Sequence, residues 1–138
     1  SMADGDRAGL AMLRDTSAWI GIRKDGSSIK ISMWSGLTMT STWATASTGS
    51  ESASATISST RVWLRIYADI HVGSGKQAQF FYSTDGQKFT KIGALTLNNA
   101  WNFFPGYRYA IFNFATKALG GSVKIGSFTV DSPGRTLT

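Results

Sequence analysis

Along most of the chain, apolar residues alternate with polar ones at the two-residue period typical of half-buried β-strands. Residues 62–71 show this most clearly. One face of this predicted strand carries aliphatic residues, namely Val62, Leu64, Ile66, Ala68 and Ile70. The other face carries aromatic and polar residues, namely Trp63, Arg65, Tyr67, Asp69 and His71. The pattern predicts a strand with one face in a core.

Turn signals divide the rest of the chain into similar short strands. Asp25-Gly26 and Asp85-Gly86 predict hairpins, and Ser35-Gly36 and Gly73 to Gly75 predict further turns. Strands are expected in residues 18–24, 29–34, 77–83, 89–97 and 121–130. The Thr- and Ser-rich residues 38–59 could form a linker, but their β-branched residues favour exposed strands. About nine or ten short strands predict an all-β sandwich.

Residues 106–121 are predicted to form a long aromatic-rich strand between a Pro-Gly turn and a Gly-Gly turn. Rings and neutral polar groups share this strand, and acidic residues are absent from it. A surface of this kind suits a sugar better than a charged ligand.

Composition excludes several classes of protein. The 138 residues suffice for one domain, and the chain has no cysteine for a disulfide scaffold or thiolate metal site. The net charge of +6 comes from scattered basic residues, so nucleic acid binding is not expected. Two explanations of the positive charge stay open: it keeps the surface soluble, or it attracts an acidic polysaccharide. No apolar run is long enough to span a bilayer.

Catalytic groups are scarce. A Ser-His-Asp triad would have to use His71, the single histidine, but the sequence contains no Gly-x-Ser-x-Gly motif for the serine. His71 is therefore interpreted as a surface residue. Glycoside hydrolysis needs two opposed carboxylates, and no such pair stands out among the eight acids. Asp4 and Asp6 could help to bind calcium, although two early acids more often lie solvated. The sequence therefore argues against a self-sufficient enzyme and predicts no cofactor, with calcium as the alternative.

Aromatic residues are the main resource for binding. Several rings are out of phase with the aliphatic face of their strand, namely Trp19, Trp34, Trp63 and Tyr67, with Trp43 as a further candidate. Such rings can stack on a pyranose, while amides and Arg65 bond its hydroxyl groups. Alternatively, a further sheet or a partner chain covers them. Both interpretations stay open.

Five stretches carry a family resemblance. In chain order they are Gly5-Asp6-Arg7-Ala8-Gly9-Leu10-Ala11, Ala18-Trp19-Ile20-Gly21-Ile22, Trp63-Leu64-Arg65, Tyr82-Ser83-Thr84-Asp85-Gly86-Gln87-Lys88-Phe89 and residues 106–121. They resemble the C-terminal concanavalin-like module of glycoside hydrolase family 43 β-xylosidases and arabinofuranosidases, also classed as a xylan-binding module of family 91. The resemblance implies a two-sheet antiparallel jelly-roll sandwich over residues 1–131, with residues 132–138 as a tail.

The resemblance also implies partners that this chain does not contain. In similar enzymes the catalytic carboxylates lie on an upstream five-bladed propeller. The family's module begins earlier than Ser1, so we expect a preceding segment, a second chain or a dimer mate to supply missing N-terminal strands. An aromatic residue on a loop of the module reaches the propeller's active site. Here the matching candidates are Phe104, then Phe103, with Trp101 nearby; a hydrophobic plug is the alternative role.

These expectations give a favoured function and two alternatives. The favoured one is a noncatalytic module of a secreted xylan-degrading hydrolase, which binds xylan-type sugars and completes the active site. The first alternative is a module that only stabilises the propeller. The second is an independent lectin-like protein, should no propeller accompany it.

Overall fold

The computed structural model describes residues 1–71, 73–99 and 106–131. These residues form eight β-strands: β1 (Asp6–Leu13), β2 (Thr16–Asp25), β3 (Ser28–Met39), β4 (Thr45–Thr56), β5 (Trp63–Ala68), β6 (Gln77–Ser83), β7 (Thr90–Thr96) and β8 (Arg108–Ala115). Within these ranges, no helix is long and apolar enough to cross a membrane.

The strands form two antiparallel sheets that pack face to face. One sheet has five strands in the order β4-β3-β2-β1-β8, and the other has three in the order β5-β6-β7. The predicted all-β sandwich is confirmed, as are the Asp25-Gly26 and Asp85-Gly86 hairpins, which join β2 to β3 and β6 to β7. Residues 38–59 contribute β4 and are therefore not a linker.

The core lies between the sheets, over the central strands. In the five-stranded sheet, Ile20 pairs with Met33 and Ile22 with Ile31 across β2 and β3. These side chains meet Ala78, Phe80 and Leu95 of the three-stranded sheet. Because alternate residues of a strand point to opposite faces, the same pairing sends Trp19 and Trp34 outward.

Several local predictions were wrong. The aromatic-rich strand predicted over residues 106–121 is shorter, Arg108–Ala115. The turn at Ser35-Gly36 does not form, because β3 continues to Met39 and pairs with β4 along its length. Gly36 has a positive φ of 75°, and it lies between two register shifts of this ladder, where it accommodates the irregularity within the strand. Ile70 was predicted to face the core, but it is exposed. The strand β5 ends at Ala68, and the Asp69 carboxylate accepts a hydrogen bond from the His71 amide at the start of the turn.

The two sheets differ in width, which leaves β8 uncovered. Tyr109 and Ile111 pair with the core residues Met12 and Leu10, so they lie on the inner face of β8. Ile111 is nevertheless 45% exposed, because β5, the last strand of the narrower sheet, packs against β1.

The predicted final strand, residues 121–130, does not form a ladder within the described part of the chain. Its large apolar residues Ile125, Phe128 and Val130 are exposed. A strand needs a neighbouring strand to satisfy its backbone groups. In this segment the amide of Ser122 donates a hydrogen bond to the carbonyl of Ser1, but no ladder follows in the described residues. The sandwich formed by the described residues is therefore open at this edge.

Gly93 sets the distance between the two sheets. A Cβ added there would overlap Sδ of the buried Met33. Gly93→Ala is expected to lower the free energy of unfolding by about 1–3 kcal/mol, because it overpacks the core. Urea denaturation measures this change. Gly126→Ala is the matched control, since an added Cβ meets no atom within 4 Å there. Equal stability of the two variants would contradict this account of the sheet spacing.

Candidate functional site

The outer face of the five-stranded sheet carries a continuous row of rings. Trp19 and Trp34 stack nearly parallel, with centroids 5.5 Å apart and an interplanar angle of 8°. Phe112 meets Trp19 edge-on at 5.1 Å, and Phe114 follows Phe112 at 5.7 Å. We call these four residues the aromatic row. Trp19 is only 6% exposed because Trp34 and Phe112 flank it, so it supports the row more than it offers a free surface.

Phe112 and Phe114 were not among the predicted site residues. Phe112 lies on β8 and reaches across β1 to β2, where a Cβ on Gly21 would come within 3.2 Å of its ring. The glycine at position 21 therefore leaves room for this ring. The alternation along residues 107–115 is enough to place Phe112 and Phe114 on the same face of their strand. The sequence does not show which strand lies next to β8.

A band of ionic groups runs beside the aromatic row. Arg7 and Arg23 pair across β1 and β2, and both contact the carboxylate of Asp25, at 2.8 Å and 3.3 Å. Arg23 Nη1 also lies 3.0 Å from Oε2 of Glu51, the only glutamate of the chain. Since Arg23 is on β2 and Glu51 on β4, this ion pair crosses β3.

The other predicted residues lie on the opposite side of the sandwich. Trp63, Arg65 and Tyr67 share the outer face of β5. The guanidinium of Arg61 lies 4.9 Å from the Trp63 ring, and that of Arg65 lies 3.6 Å from the Phe89 ring. The structure therefore divides the predicted ring residues between two faces and does not join them in one site.

The aromatic loop candidates Trp101, Phe103 and Phe104 lie outside the described residues, but both ends of their loop are described. The hydroxyl of Tyr107 accepts a hydrogen bond from the Asn98 amide at 3.0 Å. Asn98 and Tyr107, which lie on either side of these residues, are thus held together. We call this point the loop neck.

A charged pair from the β1–β2 turn holds the loop neck. The buried guanidinium of Arg14 donates to the carbonyl of Asn98 and lies 5.5 Å from the centre of the Tyr107 ring. The carboxylate of Asp15 accepts from the side-chain amide of Asn98 at 3.0 Å. Ser17 in turn exchanges two hydrogen bonds with the backbone of Arg14. Sequence reasoning missed this cluster, because its members are distant in the chain and carry no motif.

Comparison with known proteins identifies the family. Residues 1–131 match the family described as the β-xylosidase C-terminal concanavalin A-like domain of glycoside hydrolase family 43. The chain belongs to this family. The predicted resemblance and the concanavalin A-like fold are both confirmed.

Two solved structures extend this β-xylosidase C-terminal domain assignment. The first is an engineered GH43 glycoside hydrolase with endo-xylanase and exo-arabinofuranosidase activity; it is 41% identical, with a TM-score of 0.81 over 87% of this chain and 25% of that one. The second is a bifunctional GH43-CE protein of Bacteroides eggerthii, 27% identical, with a TM-score of 0.69 over 87% of this chain and 14% of that one. The chain thus spans a quarter or less of either protein. No curated protein matches it.

His71 forms a pair with an acidic residue just after β5. His71 Nδ1 lies 2.7 Å from Asp69, and its side chain is 86% exposed. The hydrogen bond from His71, with a second from Lys76, lowers the pKa of Asp69 to about 2. This solvent-facing pair fits the surface role predicted for His71.

Asp4 and Asp6, the predicted calcium candidates, also have partners within the chain. The Asp4 carboxylate accepts from the Gly26 amide and from Lys117, and Asp6 accepts from the Ala3 amide. No group of three or more potential metal ligands occurs in the described ranges. The calcium alternative stays a prediction.

The loop neck gives a testable consequence. Arg14→Leu should lower the free energy of unfolding by about 1–3 kcal/mol, because it leaves the Asn98 carbonyl and the Asp15 carboxylate without their cation. Arg61→Leu is the control, since that guanidinium is exposed and its contact with Trp63 contributes about 1 kcal/mol or less. Chemical denaturation compares them. Equal losses would show that the Arg14 cluster does not secure the loop neck.

Proposed function

We propose that this chain is the noncatalytic, sugar-binding module of a secreted family 43 β-xylosidase or arabinofuranosidase. In this proposal the module contacts xylan-type polysaccharide and completes the active site of a five-bladed propeller. The observation that carries the proposal is the family membership of residues 1–131 together with the structured neck of the aromatic loop.

The comparison structures support a catalytic partner domain. Both are GH43 enzymes of which this chain matches only a minor part, so the remainder of each is available for catalysis. Three described carboxylates are engaged within the chain: Asp15 with the side-chain amide of Asn98, Glu51 with Arg23, and Asp85 with the backbone amide of Lys88. We place the catalytic acids on the propeller for this reason.

The loop neck supports the active-site role. Arg14, Asp15 and Tyr107 fix the two ends of a loop whose sequence includes Trp101, Phe103 and Phe104. A loop with fixed ends can present a ring at a defined place, which completing a neighbouring active site requires. Phe104 is the residue we assign to this contact, with Phe103 second.

The open edges of the sandwich support the proposal that further strands complete it. Ile111 on β8 and the apolar residues of 121–131 lack a covering layer in the described part of the chain. We propose that strands from the parent polypeptide, or from another chain, pair here and bury this surface.

A purely structural module is the second candidate. It is favoured by the burial of Trp19 within the aromatic row and by the arginine that lies over Trp63, since both reduce the free ring surface. In this case the domain would stabilise the propeller and bind no sugar independently.

Affinity electrophoresis separates the two candidates. The sugar-binding proposal predicts that the chain is retarded in gels containing xylan or arabinoxylan, and that calorimetry detects binding of xylo-oligosaccharides. Bovine serum albumin run in the same gel controls for nonspecific retardation. A folded chain that is neither retarded nor titrated would exclude the binding role and leave the structural one.

A further inference from the structure

We propose that the outer face of the five-stranded sheet contains a binding site for a neutral saccharide, centred on Trp34 and formed with Arg23, Ser32 and Glu51. This inference rests on the proposed sugar-binding function and assigns it to one face of the sandwich and to particular atoms. The loop at residues 98–107 is not part of this site.

The register places these four side chains together. Trp34 pairs with Glu51 on β4, whereas Arg23 pairs with Lys30, four residues before Trp34 on β3. The Arg23–Glu51 ion pair therefore crosses β3 diagonally between Lys30 and Trp34. Ser32 occupies the position between them on the same face, and it is completely buried. The ion pair thus forms a bridge over Ser32, next to the Trp34 ring.

Polar atoms at this bridge lack hydrogen-bond partners. Ser32 Oγ and Trp34 Nε1 are buried and bond to nothing in the described chain. Arg23 Nε and Glu51 Oε2 have ion-pair contacts at 3.3 Å and 3.0 Å but make no hydrogen bond of good geometry. Buried polar groups are normally hydrogen-bonded, because an unsatisfied group costs free energy. Two unpartnered atoms on β3, beside two ionic atoms on β2 and β4 that are held only by ion pairs, indicate a place where another molecule supplies the partners.

The chemistry of these groups selects the ligand. The set contains donors, Trp34 Nε1–H and Arg23 Nε–H, and an acceptor, Glu51 Oε2, while the Ser32 hydroxyl can do both. Arg23 and Glu51 cancel in charge, and Lys30 beside them disfavours a cation, so the bridge itself selects no ionic ligand. A polyol offers hydroxyl groups that both donate and accept, and the half-buried ring of Trp34 offers a surface for a pyranose.

Access to the site requires only side-chain motion. The side chains of Arg23 and Glu51 remain 19% and 27% exposed, and both are long enough to change rotamer. When a ligand hydroxyl bonds to Glu51 and Arg23, the two head groups can move apart and uncover Ser32 Oγ. The backbone of the sheet keeps its register throughout.

A protein partner fits this face less well. The centres of protein–protein interfaces are depleted of charged residues, whereas Arg7, Arg23, Asp25 and Glu51 form a continuous ionic band here. The opposite outer face fits a sugar less well, because Arg61 and Arg65 already lie over the rings of Trp63 and Phe89.

Two conservative variants test the assignment. Ser32→Ala removes a hydroxyl that has no partner in the described chain, so it should not lower the melting temperature. Trp34→Phe removes an indole N–H that has no partner there, but it also reduces the stack on Trp19, so a small loss of stability accompanies it. Each should weaken binding of xylohexaose about three- to tenfold, because one hydrogen bond to the ligand is lost. Isothermal titration calorimetry measures the affinity, and circular dichroism measures the melting temperature. Reduced affinity of Ser32→Ala without reduced stability is the result expected of a ligand-binding group.

Trp63→Phe compares the opposite face and should keep the wild-type affinity. Ser27→Ala, in the exposed turn between β2 and β3, is the matched control for Ser32→Ala. Glu51→Gln tests the bridge itself, and its loss of affinity should equal or exceed that of Ser32→Ala. Should Trp34→Phe fail to fold, Ser32→Ala carries the test, since it removes one oxygen atom from a site with no partner for it.

The failures of the two proposals are distinguishable. If wild type binds xylohexaose and the Ser32, Trp34 and Glu51 variants bind equally well, the site assignment is overturned while the sugar-binding function stands. The site assignment is also overturned if only Trp63→Phe weakens binding. If wild type itself shows no binding by calorimetry, both the function and the site are wrong, and a protein partner becomes the candidate for this face.

Discussion

The register between β2 and β3 is the constraint on which the rest of the structure depends. Ile20 pairs with Met33 on the inner face, and the next pair, Trp19 with Trp34, points outward. A slip of one residue would exchange these faces, exposing the aliphatic core and burying the tryptophans between the sheets. The Asp25-Gly26 hairpin and the buried isoleucines oppose this slip together. Core and outer surface are therefore fixed by the same hydrogen-bond ladder.

The unequal sheets have a second consequence. The three-stranded sheet covers β1 to β4, which gives the domain a compact core around Phe80, but it does not reach β8. The inner face of β8 and the apolar residues of 121–131 remain open for further strands. The outer face differs, because its rings cover one another and its charges are paired. The domain thus has one surface on which apolar residues remain uncovered and another, the proposed sugar-binding face, on which rings and charges contact one another.

Much of this architecture could be predicted from the sequence, where local signals were sufficient. Alternation in β2, β3 and β5 identified the inner and outer faces, and two Asp-Gly pairs located hairpins. Ser35-Gly36 was misread because a glycine with positive φ can lie within a bulged strand as well as at a turn. Residues 121–130 have a strand pattern, but a strand also requires a neighbour, and the sequence does not supply that information.

The candidate site was predictable only in part. Trp19 and Trp34 were recognised as outward-facing, since each alternates with aliphatic neighbours. The roles of Ser32, Glu51 and Arg14 could not be found, because they depend on pairings between strands and turns far apart in the chain. Glu51 lies in a Thr- and Ser-rich stretch with no motif around it. Only the position of β4 beside β3 brings it to Arg23 and Trp34.

The most direct test of a sugar-binding outer face is the indole N–H signal of Trp34 in a two-dimensional NMR spectrum. The signal is assigned by its disappearance in Trp34→Phe. As xylohexaose is added, the account predicts a saturable shift of this signal, while the Trp63 indole signal stays in place. A Trp34 signal that does not move while other signals report binding, or a spectrum without any change, would contradict it.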